Sequence, residues 1–379
     1  MRLTKTCGGG ILFVRVNMNS TKERSSNLEL FRIITMFFIV AHHYVVNSGL
    51  TSQDVIFANP TSTKSIFLLL FGAWGKSGIN CFVLFSGYFM CKSKITLKKF
   101  LKLFLEWKFY SIIIYLIFLI TGYVDFDITE LLKIIIPVYT ISTNFTSCYM
   151  VFFLSIPFLN ILINNMNEKQ HTYLLIWCFF TYILLGTIPK FSITMNYVSW
   201  FIVLYLISSY IRLYPKKYYD NTKLWGIISI AFILVSAISV VACDFVFNGD
   251  NVYFFVSDSN TFLAVGVGIS LFLFFKNIKM RNSKAINKIA STTFGILCIH
   301  ASSDTMRQWL WKDTLNNVGA YYSNYTVVHA IGSILGVCII CSCIDLARQR
   351  FIEKPFFIWF DKEENKIKQN NLIAKIIKP

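Results

Sequence analysis

Charge is what this chain has least of. Only 15% of its 379 residues are Asp, Glu, Lys or Arg, whereas a soluble domain carries about 25% to keep its surface wet. That deficit excludes a soluble fold of this length. Internal repeats are missing too, including the inverted symmetry that many transporters carry. So are the four converging donors that a structural metal site needs. The ten cysteines are scattered, and the one cluster, Cys338, Cys341 and Cys343, has no His or carboxylate pattern beside it. These thiols read as small, weakly polar residues at a helix–helix contact, and neither a metal nor a disulfide framework is expected. The apolar run from Gly8 to Val14 is too short for a secretory signal, and no small-residue cleavage site follows it.

Apolar residues fill the space that charge leaves. They make up 55% of the chain, 17% is aromatic with 37 Phe, and the mean hydropathy is +0.57. Runs of about 18 to 22 apolar residues recur throughout, the length at which a helix rising ~1.5 Å per residue crosses the hydrocarbon. The expected spans are roughly 29–47, 65–90, 104–122, 147–164, 172–188, 196–211, 224–247, 259–275, 290–308 and 325–346. The fold class expected is therefore all-α, a polytopic integral membrane protein with about ten transmembrane helices. Residues 1–24 form an N-terminal tail, of which 1–17 read as a start-site extension because Met18 opens a second plausible beginning. Residues 25–360 form the membrane domain and 361–379 a polar tail. Between the third and fourth spans, Leu131 to Ile136 reads as an interfacial or re-entrant helix.

The net charge of +17 invites a nucleic-acid reading until its distribution is examined. With the N-terminus inside, segments on that side hold 28 of the 36 Lys and Arg, outward segments hold 6, and Arg32 and Lys108 lie within spans. Alternation of this kind is the positive-inside pattern, which places both termini in the cytoplasm. The basic excess thus reports topology, and no nucleic-acid partner is expected.

Ionisable residues inside spans are costly, roughly 2.5–3.5 kcal/mol each at a helix centre, and so point to function. The first span holds Arg32 and His43 eleven residues apart. At 100° per residue that is 1100°, about 20° from three full turns, so both lie on one face about 16 Å apart along the axis. Glu29 lies near the same stripe, and His42 points about 100° away from His43. An imidazole there suits a general base, and Arg32 suits orientation or neutralisation of anionic groups. The plainer alternative is that Arg32 snorkels to the interface and His43 bonds a neighbouring helix.

Elsewhere the second span carries Asn80, Ser86 and Gly87, which serve close packing or supply weak oxyanion donors. Just inside it follow Lys92, Lys94, Lys98, Lys99 and Lys102. This cluster serves topology, lipid headgroups or the phosphates of a nucleotide-like donor. A further imidazole, His300, ends the run from Phe294, with Asp304, Arg307, Trp309 and Trp311 after it. His329 lies near the outer end of the tenth span, and Glu353 follows that span beside Pro355.

Arg32 and His43 within Leu30 to Tyr44, the segment from Asn80 to Tyr88, and Glu353-Lys354-Pro355-Phe356 together resemble the bacterial acyltransferase 3 family. Ser155 to Asn160, Trp200 to Tyr205 and Thr293 to His300 are similar to its shorter members, and the resemblance runs from about Asn27 to Phe356. Two departures stand out: lysines replace the arginines common after the second span, and Asn144 replaces a Trp common before the fourth. The resemblance implies a multi-pass O-acyltransferase of the bacterial cytoplasmic membrane. Its donor would be an acyl-coenzyme A, acetyl-coenzyme A above all, acting as co-substrate with no bound cofactor. Its acceptor would be a hydroxyl of a surface polysaccharide or lipid-linked sugar. On that pattern His43 is the catalytic histidine, Arg32 its partner and Glu353 a further acidic position. Lys98, Lys99 and Lys102 are donor-binding candidates, and Glu29, Asn80, Ser86 and His300 are substrate-site candidates. The rival readings are a transporter of a small solute or glycan-lipid, and an envelope scaffold for which His43 is dispensable.

Overall fold

The computed structural model describes residues 25–136, 145–188 and 196–369. Asn144, Lys190, the N-terminal 24 residues and the last ten lie outside them. Every element among the described residues is helical. In chain order these are α1 (Ser26–Val46), α2 (Thr63–Gly72), α3 (Gly75–Met90), α4 (Leu97–Ile120), α5 (Ile128–Ile135) and α6 (Phe145–Asn165). Then come α7 (Glu168–Cys178), the short α8 (Leu185–Thr187), α9 (Tyr197–Leu213), α10 (Thr222–Phe247), α11 (Phe262–Asn277) and α12 (Lys284–Ala290). Last are α13 (Thr293–His300), α14 (Asp304–Arg307), α15 (Asn317–Tyr322), α16 (Thr326–Arg348) and α17 (Lys354–Gln369). Wider π-helical turns at 179–184 and 349–353 join α7 to α8 and α16 to α17.

Among the described residues, six stretches are long and apolar enough to cross a membrane: Ser26–Val46, Thr63–Met90, Leu97–Ile120, Phe145–Asn165, Thr222–Phe247 and Thr326–Ile367. The runs expected at 196–211 and 259–275 form the shorter apolar helices α9 and α11. The run expected at 290–308 is interrupted: α13 has eight residues and stops at His300, so it rises only about 12 Å. On α10, Ile227, Ile230, Leu234 and Ile238 are all exposed. Their helical spacing makes one apolar outer face, which in a membrane protein meets lipid. By contrast α1 lies at the centre, packed against α2, α3, α11, α12, α13 and α16.

Local chemistry sets the helix starts. Ser62, Thr96, Asn196 and Asn221 each accept a backbone N–H of the first turn, and Asn167 forms a reciprocal capping box with Gln170. Asp127 caps α5, which covers all but the last residue of the apolar stretch expected at 131–136. The Ile134 carbonyl near its far end accepts from Lys108, whose ammonium lies 4.0 Å from the Trp107 ring centroid. The cation inside the third span is therefore spent on closing a helix end. Backbone helix also runs unbroken from Lys354 to Gln369, through the tail boundary expected at residue 360, with Asp361 ion-paired to Lys98 at 2.6 Å.

The second apolar stretch breaks between α2 and α3, and glycines make the break useful. Gly72, Gly75 and Gly78 recur every three residues and face α1. A Cβ added to them would lie 2.8 Å from Val45 Cβ, 2.2 Å from His42 Cγ and 3.0 Å from Ile39 Cγ1 respectively. Backbone thus meets side chain directly, the close approach that small residues permit between membrane helices. Gly75→Val is expected to destabilise the protein by more than the ~1–3 kcal/mol typical of overpacking. Gly336→Ala, which meets nothing within 4 Å, should leave the unfolding temperature of detergent-purified protein unchanged. Equal melting of the two variants would contradict this packing account.

Candidate active site

His43 falls in the last turn of α1 and Arg32 in its second, so the two sit toward opposite ends of the helix. His43 lies nearer the end of α1 than a residue deep in a span would. A single short element engages both. Thr293, the first residue of α13, accepts from Arg32 Nη2 at 2.9 Å, and His300, its last, meets His43 at 2.9 Å. Seven residues separate them, a turn of 700° or about 20° short of two full turns, so both lie on one face of α13. Arg32 and His43 share a face of α1 for the same reason. Two matched stripes meet, and the reach of the Arg32 side chain covers the difference in rise.

The hydrogen bonds assign the protons of the neutral pair. His300 Nδ1 is 2.6 Å from the Ile296 carbonyl, which only accepts, so Nδ1 carries the hydrogen. His300 Nε2 is then an acceptor, and His43 Nδ1 must donate to it. His43 Nε2 is left with its lone pair. This is a base oriented through two bonds by a backbone carbonyl, with His300 fully buried and Trp311 edge-on to it at 6.3 Å.

His43 lines a cavity of about 140 Å³ with His42, Lys76, Thr146, Tyr197 and Arg307 among its walls. His42 donates its Nδ1 hydrogen to the Gly72 carbonyl at 2.7 Å, and its ring lies 6.0 Å from that of His43. The spacing argument turned His42 away from His43, yet both rings reach one cavity. The break at Gly72–Gly75 opens room beside the end of α1, and adjacent side chains there converge. Lys76, Tyr197 and Thr146 carried no signal in the sequence beyond their polarity, and Arg307 was visible only as a charge after His300.

At the other end of α1, Arg32 bonds Glu29 at 3.0 Å and lies 5.2 Å from the Phe85 ring centroid, and its buried Nε has no partner among the described residues. Glu29 is therefore Arg32's local counter-charge. Asn80 and Ser86 act as cross-links. Asn80 donates to the Ser259 carbonyl and accepts from the Trp200 indole, and Ser86 accepts from Tyr149.

Glu353 stands apart from His43 in a buried ionic junction. Its oxygens meet Lys102 at 2.6 Å and Arg348 at 2.9 Å. Arg348 also meets Asp345 at 2.8 Å and Glu106 at 3.1 Å, and Tyr110 donates to Asp345. The junction reaches α13 through Gly295, where an added Cβ would lie 2.3 Å from Asp345 Cγ. Of the lysine candidates, Lys98 and Lys102 are ion-paired, whereas the Lys99 ammonium bonds the Ser93 hydroxyl and the Lys94 carbonyl.

A second cavity, of about 480 Å³, adjoins the first at Arg307. Trp107, Tyr115, Asp125, Ser302 and Asp304 are among its walls. The turn bearing Asp125 is held by Tyr123, which donates to Asp313, a bond that pushes the phenol up to about 12.

Several long apolar helices, with the His43–His300 pair beside a cavity at their centre, mark a membrane protein. The acyltransferase 3 family, described as an acyltransferase domain, matches residues 25–345, and the chain belongs to that family. Its activity is accordingly that of an acyltransferase. No curated protein and no solved structure matches it.

Proposed function

We propose that this membrane protein transfers an acetyl group from acetyl-coenzyme A to a hydroxyl of a cell-surface glycan or its lipid-linked precursor. Its setting would be the cytoplasmic membrane of a bacterium, with about ten crossings and both termini inside. The observation that carries the reading is the chain His43–His300–Ile296, which leaves one imidazole lone pair at a cavity. A hydroxyl is a poor nucleophile at neutral pH, and a positioned base is worth roughly 10²–10⁴-fold. In the proposed step His43 Nε2 takes the hydroxyl proton as the oxygen attacks the thioester carbonyl. The C–S bond then breaks, and the departing thiolate takes that proton back from His43. Arg32 and the lysines after α3 serve the donor's phosphates, and Glu353 holds Lys102 among them. The transporter rival lacks a comparable use for an oriented base.

Measurement of the O-acetyl content of the host's surface glycans tests this reading. It should be lost on deletion of the gene and restored by the wild-type copy. Unchanged acetylation across every glycan of the deletion strain would overturn it. Lys99, the donor-binding candidate whose ammonium bonds a hydroxyl and a carbonyl where Lys98 and Lys102 bond carboxylates, gives a second test. Lys99→Ala is expected to raise KM for acetyl-coenzyme A about three- to tenfold with kcat little changed. An unaltered KM would remove this lysine from the donor site.

A further inference from the structure

Among the described residues, the walls of the His43 cavity hold two cations, Lys76 from α3 and Arg307 from the end of α14, and no carboxylate. Both cations have counter-ions of an unusual sort. Lys76 Nζ lies 3.8 Å from Asp258, whose side chain is 59% exposed, and Arg307 meets Asp304, which is 95% exposed. The cations themselves are only 23% and 33% exposed. Exposed partners of this kind hold weakly, because water competes for them at almost no cost. Arg307 Nε is buried with no hydrogen-bond partner among the described residues. Tyr197, bonded to Lys76 Nζ at 3.0 Å, fixes that ammonium at the cavity wall.

Such a site is built to exchange its two surface carboxylates for an anion arriving with substrate. We infer, on the strength of the acyl-transfer reading above, that the acceptor sugar carries a carboxylate or phosphate close to the hydroxyl that is acylated. Lys76 and Arg307 grip that anion and so hold the hydroxyl at His43. The small cavity takes the reacting edge, and the larger one beyond Arg307, with Trp107 and Tyr115 on its wall, takes the remainder of the sugar. Charge-assisted bonds to an anion are roughly twice as strong as neutral ones, and the guanidinium fork suits either oxyanion. An uncharged sugar would bring neither cation a counter-charge within the cavity.

Protein in lipid nanodiscs, supplied with labelled acetyl-coenzyme A, tests this with methyl glucoside, methyl glucuronide and methyl glucoside phosphate as acceptors. One or both charged acceptors should exceed the neutral one at least tenfold in kcat/KM, and the better of them tells carboxylate from phosphate. Lys76→Met and Arg307→Met should each shrink that ratio at least tenfold, through KM of the charged acceptor. A ratio near one in the wild type overturns the inference while leaving acyl transfer standing. So does a parallel fall in kcat for all three acceptors, which would mark the cations as stabilisers of the thioester oxyanion. Binding of the same probes to His43→Ala protein, followed by calorimetry, separates the two ideas. Preferential binding of a charged sugar without turnover in the wild type supports the anion site and sinks the acetyl-coenzyme A reading alone. Equal binding of all three overturns the anion site.

Discussion

His43→Ala is expected to lower acyl transfer by about 10²–10⁴-fold, the worth of a positioned general base. The substitution removes the one ring nitrogen whose lone pair the hydrogen-bond chain leaves at the cavity, and His300 Nε2 then faces a space in place of its donor. Packing of α1 should survive. Phe31, Met36, Val40 and Tyr44 are each no more than 1% exposed and engage the core independently of the imidazole. The measurement is single-turnover transfer from acetyl-coenzyme A by detergent-purified protein, with size-exclusion behaviour as the control for folding. The loss should appear in kcat, because the base acts in the transition state. A well-folded variant that retains more than a tenth of wild-type kcat would remove His43 from the chemistry and revive the scaffold reading.

Replacement of His300 should separate orientation from mere packing. His300→Leu fills much of the same space but offers nothing to His43 Nδ1. The ring is then free to turn or to change tautomer, and kcat should fall on the order of 10²-fold with KM for donor nearly constant. His300→Gln keeps an acceptor oxygen where Nε2 stood and should recover most of that loss. A purely structural role predicts the reverse ranking, since a buried polar Gln is harder to satisfy than Leu. His300 is thus assigned as a positioning residue, and the order of the two variants decides the matter.

Much of this arrangement was legible beforehand, and the illegible part has a common cause. Helical periodicity alone placed Arg32, His43 and Glu29 together, because that relation is local to α1. His300 was visible as an imidazole within an apolar run, but its contact with His43 joins residues 257 apart and depends on where α13 packs. Lys102 and Glu353 stood out separately, one as a donor-binding candidate and one as a family position. Their 2.6 Å pair between α4 and the π-helical turn before α17 is again tertiary. Lys76 looked like an isolated outward charge, and only the break between α2 and α3 brings it to the cavity. Hydropathy likewise marked ten apolar runs, whereas among the described residues six stretches have the length and composition to cross a membrane. Runs such as 290–308 have the composition of a span but are divided by the end of α13 at His300, where backbone is needed to position side chains instead.

The bond between Arg32 and Thr293 joins residues 261 positions apart, and that separation has a meaning in time. A chain emerging at roughly 5–20 residues per second reaches Thr293 about 13 to 50 s after Arg32. Throughout that interval α1 stands among lipids or the insertion machinery with neither α13 nor its hydroxyl to receive the guanidinium. Glu29, one turn away on the same helix and 3.0 Å from Arg32, is present from the first moment. The local ion pair therefore acts as an escort. It lets a helix bearing a full positive charge enter as a nearly neutral one, and later, when α13 arrives, Arg32 adds the long-range bond without giving up the first.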